Sequence, residues 1–82
     1  MKFELFKEVA LAADIPEHHL KEGDIATVVD YLTSEKTGEL GYALEVFNTQ
    51  GETVEVLFVP ATAVKPLSGN AVWHERDLAE AA

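Results

Sequence analysis

Three groups of side chains in this 82-residue chain have types and spacings that could do chemistry: adjacent histidines, paired carboxylates, and aromatics beside acids. His18 and His19 open the stretch HHLKEGDIATVVDYL. On a strand, neighbouring side chains point to opposite faces, so this pair could not close on one ion. A stable metal site draws three or four converging ligands, and the only further imidazole is His74, with no cysteine in the chain. Both histidines therefore read as solvated loop residues, and neither a metal nor any other cofactor is expected.

Fifteen acidic residues make carboxylate pairs easy to find and individually uninformative. Glu45 and Glu55 fall on neighbouring predicted strands, where they are expected to face solvent together on a charged outer face that blocks aggregation. Ser34 and Ser68 are the only serines, both in turn contexts with no motif around them that activates a nucleophile. A small barrel filled by its own side chains also leaves little volume for a substrate. The chain is expected not to be an enzyme and not to bind a small molecule.

The aromatic residues point instead towards binding. Small SH3-like barrels hold peptides through exposed aromatics beside an acidic loop. Here Tyr31 and Tyr42 accompany a loop carrying Glu17, Glu22 and Asp24. Both tyrosines lie in predicted strands, where the competing role is core packing with the hydroxyl at the rim. Trp73, beside Val72 and His74, lies beyond the strands and either docks on its own barrel or anchors a second copy or partner. The candidate partner contacts are Trp73, Tyr31, Tyr42, Glu45 and Glu55.

Charge narrows the partner. Six basic against fifteen acidic residues give a formal net charge of −9. Nucleic-acid binding works by neutralising phosphates with Lys and Arg, so neither nucleic acid nor an anionic membrane is an expected partner. An acidic surface suits solubility, or steered attraction to a basic protein. Charges at Lys2, Glu4, Lys7 and Glu8 leave no apolar signal region, and no apolar run approaches the ~20 residues of a spanning helix. A cytoplasmic location is expected.

The elements that must position these residues are read from pattern. Period-two alternation, β-branched residues and glycine turns dominate. Strands are expected over Lys7–Ala13, Ile25–Leu32, Tyr42–Thr49, Glu52–Val59 and Val64–Leu67. The apolar density of the second suggests burial on both of its faces. Lys21-Glu22-Gly23-Asp24 reads as the tight turn feeding that strand, with Asp24 accepting from the turn's amides. Asn48-Thr49-Gln50-Gly51 joins the third and fourth strands as a hairpin, and Ala61-Thr62-Ala63 has the length of one 3₁₀ turn. Asn70 is placed to cap a short helix through Leu78, with Arg76 and Glu80 at i, i+4. The expected fold is therefore mainly β: a five-stranded SH3-like barrel over 1–67, closing its own edges, and a tail over 68–82 that is helical or extended.

VALAADIP, LKEGDIATVV, GYALEVF, GET and VKPL, in this order along residues 5 to 67, resemble a family of short bacterial proteins, domain-of-unknown-function family 4926. The resemblance implies an SH3-like barrel and no activity. Ala26 stands where that pattern usually has glycine, and the tail after Leu67 lies outside it. The expected function is a non-enzymatic protein-binding module, with homodimerisation through the tail or a strand edge as one mode. The alternatives are an antitoxin-like or immunity-like acidic inhibitor of a basic protein, and an accessory domain of a larger enzyme complex.

Overall fold

The computed structural model describes residues 3–78. Among them, β1 (Glu8–Leu11), β2 (Ile25–Thr33), β3 (Leu40–Phe47), β4 (Thr53–Pro60) and β5 (Val64–Pro66) form one antiparallel sheet in the order β4-β3-β2-β1-β5. Single 3₁₀ turns occupy Pro16–His18 and Ala61–Ala63. The mainly β, five-stranded expectation holds, including the 3₁₀ turn between the last two strands. Edge closure does not. β4 and β5 lie at opposite ends of the strand order, so the sheet is open. β5 is only 3 residues long, ends in Pro66 and spends its pairing on β1.

Alternation on β3 decides which way the sheet faces. Tyr42, Leu44 and Val46 turn inwards and lie opposite Val59, Leu57 and Glu55 of β4. The apolar members of these pairs, with Val9, Leu11, Leu20 and Val28, make the continuous apolar core, and Glu55 stands at its rim. Two bulges set the phase of β2 and β4 against β3. Val29 is an extra residue on β2 between the pairs Val28–Leu44 and Asp30–Ala43. Val54 is the extra residue on β4, between Val46–Glu55 and Phe47–Thr53. A bulge bends its strand and increases its twist. Accordingly β2 is not buried on both faces: only Ala26 and Val28 are buried, and its end at Leu32 and Thr33 is exposed.

The turns follow the side chains expected to make them. Gly23 adopts φ +92°, and the Asp24 carboxylate accepts the Lys21 N–H at 2.7 Å. Gly51 adopts φ +84°, while Asn48 Oδ1 accepts from the Gln50 and Glu52 amides at 2.9 Å each.

The expected helix from Asn70 does not form. Ser68 makes a turn instead, its Oγ accepting from the Asn70 amide and its carbonyl from Ala71, both at 3.0 Å. Residues 71–77 then run without regular secondary structure. So short a helix has little beyond its nucleation cost, and the Arg76 side chain pairs elsewhere. Glu80, its expected i+4 partner, lies outside the described residues.

Candidate functional site

The outer face of the sheet is the surface that its sequence leaves least explained. The register sets Thr27, Glu45 and Val56 in one row across β2, β3 and β4, and Asp30, Ala43 and Phe58 in the next. Beside Phe58 stands Ala43, too small to cover it. Val56 is 51% exposed and Phe58 68% exposed, and Leu32 is exposed on the same face. The Val54 bulge is the cause. It lets Val54 pack against the core, shifts the phase of β4 by one residue, and hands the inner positions to Glu55, Leu57 and Val59.

β4 is also an edge strand. Proteins usually guard a free edge with lysine, proline, bulges or shortness, because its unpaired N–H and C=O groups are a template for another strand. β4 is 8 residues long, with its proline only at the end. No Lys or Arg occurs between Thr37 and Val64, while Glu39, Glu45, Glu52 and Glu55 do. Past the Val54 bulge and before Pro60, the edge from Glu55 to Val59 carries no lysine and lies inside a purely acidic stretch.

Glu45 and Glu55 do not share a face. Glu45 lies opposite Val56, and Glu55 opposite Val46; a one-residue step reverses the side. Glu45 accepts from Thr53 Oγ1 at 3.2 Å on the outside. Glu55 sits at the rim of the inner side and meets His18 Nδ1 at 3.2 Å. The charged outer face is thus replaced by a mixed one, with Val56 and Phe58 at its edge.

Tyr42 leaves the list of partner contacts: it is 1% exposed. Its hydroxyl accepts the Phe3 amide at 3.0 Å, and the Tyr31 hydroxyl donates to the Phe3 carbonyl at 2.6 Å. The two tyrosines hold the N-terminal segment against the sheet from both backbone groups of one residue. Their rings pack with centroids 6.0 Å apart. Tyr31 is half-buried in this role.

Trp73 is 75% exposed and Val72 still more so. The tail is fixed not by the indole but on either side of it. β5 pairs with β1 before it. After it, Arg76 forms an ion pair with Asp24, Nε to Oδ1 at 3.1 Å and Nη2 to Oδ2, and donates to the His19 carbonyl at 3.1 Å. Leu78 packs against the core. The stretch carrying Val72 and Trp73 is a strap held at both ends, with its apolar side chains outward.

The histidines diverge: His18 turns to Glu55, while His19, at φ +59°, gives its carbonyl to Arg76. Among the described residues no three His, Asp or Glu side chains converge as metal ligands. Open depressions among the described residues include one walled by Phe6, Thr27, Pro66 and Leu67 and another by Pro16, Leu20, Arg76 and Leu78. Sequence reasoning missed Val56, Phe58 and the Arg76–Asp24 pair. Val56 and Phe58 share a period-two face with Val54, which was the available signal; only the bulge says that this face turns outwards.

No curated protein and no solved structure matches the chain. The family profile described as Domain of unknown function (DUF4926) matches residues 5–66, from the segment before β1 to the end of β5. The match covers the sheet and leaves out the strap with Trp73, and on it the chain belongs to the DUF4926 family.

Proposed function

We propose that this chain is a non-catalytic protein-binding module that engages its partner through the outer face and free edge of β4. The observation that carries the reading is the exposure of Val56 and Phe58 on an edge strand with no lysine to guard it. Monomeric proteins rarely leave apolar surface and a pairing-competent edge together unless something covers them. Trp73, held out by its strap, supplies a second anchor of a type enriched at binding hot spots. An SH3-like description of the fold suits this role: the strand count and the 3₁₀ turn before β5 agree with it, in an open form.

A specific observation favours the acidic-inhibitor reading as second: the cation-free stretch from Thr37 to Val64 covers β3, β4 and their hairpin. Such a surface steers a basic protein towards it.

Comparative capture from the native host tests the proposal. The wild-type chain, a Val56→Lys/Phe58→Lys variant and a Glu35→Lys control are immobilised in parallel. A protein held by wild type and control but lost from the double variant is the expected result. An unchanged profile in the double variant overturns it.

A further inference from the structure

The reading of β4 as the contact surface can be carried to the chemistry of its partner. We infer that β4 accepts an extended segment in which apolar residues alternate with lysine or arginine, added to the sheet as a sixth strand. This inference rests on that reading and adds to it the charge pattern of the incoming strand.

A strand added at the free edge places its side chains beside those of β4, alternately on the two faces of the sheet. On the outer face they meet Val56 and Phe58, both exposed, and gain by being apolar. On the inner face Leu57 and Val59 are already buried, so little apolar surface remains to cover. The groups offered there are Glu55, half-buried at the rim where one of its oxygens also meets His18 Nδ1 at 3.2 Å, and Glu52, exposed just before β4 begins. A cation opposite Glu55 gains a cross-strand pair, and an anion there is destabilising. The absence of Lys and Arg from Thr37 to Val64 means that this chain supplies no cation of its own on β3 or β4.

The same residues argue against a second copy as the occupant. Two β4 strands laid edge to edge would bring together two copies of an acidic strand, with Glu52 and Glu55 from each and a net charge of −9 on each chain. Like charges juxtaposed across an interface cost several kcal/mol by general experience. The edge is open to a strand and closed by charge to its own kind.

The test uses the full-length chain labelled with ¹⁵N and two synthetic peptides matched to the 8 residues of β4. One alternates lysine and valine; the other alternates glutamate and valine. The lysine peptide is expected to shift and protect the amides of Thr53 to Val59, to bind about tenfold or more tighter than the glutamate peptide, and to weaken with added salt. In a Glu55→Lys chain the preference should fall or reverse. Equal binding of both peptides at β4, or self-association of the chain through β4, overturns the charge pattern and leaves β4 standing as a contact surface. A response to neither peptide at β4 overturns the inference and counts against the β4 reading as well.

Discussion

Arg76 closes on Asp24 from 52 residues further along the chain, and in doing so holds the segment between β5 and Leu78 as a strap with Trp73 outward. Asp24 serves two structures at once, because the same carboxylate accepts the Lys21 amide in the turn that starts β2. Arg76→Ala removes only the strap contact; Asp24→Ala removes both. Hydrogen bonds to charged groups contribute about 1.5–3 kcal/mol, less at the exposed end of that scale. Urea unfolding should therefore show Arg76→Ala less stable by about 1 kcal/mol and Asp24→Ala by about twice that. Trp73 anisotropy should fall in both, while its emission maximum, expected to be that of an indole 75% exposed, should stay in place.

The clasp of Tyr31 and Tyr42 on Phe3 makes a second prediction. Tyr42→Phe keeps the ring contacts with Phe3 and Tyr31 but leaves the Phe3 amide without its acceptor. The expected cost is about 1 kcal/mol, with faster amide exchange at Phe3. Tyr42→Ala opens a cavity in the core and should cost about 3–5 kcal/mol. Equal losses for the two variants would contradict the division between clasp and core.

Gly41 tests the packing of β3 on β4. A Cβ there would stand 2.8 Å from the Val59 carbonyl oxygen, a backbone atom that cannot swing aside. Gly41→Ala should destabilise the sheet by about 1–3 kcal/mol and perturb amides at Val59 and Pro60's neighbours on β4. By contrast, Gly69→Ala, with open space around its Cβ, should leave the melting temperature nearly unchanged.

The sheet was legible because β3 carries an unambiguous alternation and the turns carry their own chemistry: Gly23 with Asp24, and Asn48 with Gly51. The 3₁₀ turn at Ala61–Ala63 was legible for similar reasons, as proline ends one strand and too few residues remain before the next. The candidate site was not. Two bulges, at Val29 and Val54, each shift a strand by one residue, and a one-residue shift exchanges the faces. Sequence pattern shows that Val54, Val56 and Phe58 share a side and cannot show that Val54 turns into the core while the other two turn out. The tail failed for another reason: its helix competed with a long-range ion pair, and Arg76–Asp24 is invisible to any local window.

Edge protection should separate binding from stability. Val56→Lys and Phe58→Lys replace side chains that are already exposed, so each should change unfolding free energy by less than about 0.5 kcal/mol. Both should lower the tendency to aggregate on heating, as lysine on an edge strand does. A loss of several kcal/mol in either variant would mean that these side chains carry the fold rather than a contact.

The most direct measurement of the central claim is an amide and methyl titration of the labelled chain with the purified protein that the wild-type chain retains and the Val56→Lys/Phe58→Lys variant loses. The account predicts shifts and exchange protection concentrated from Thr53 to Val59, extending to Ala43 and Leu32 on the same outer face, with a second and smaller set at Val72 and Trp73. Shifts confined to the walls of the two depressions or to the strap, with β4 amides unchanged, would contradict it.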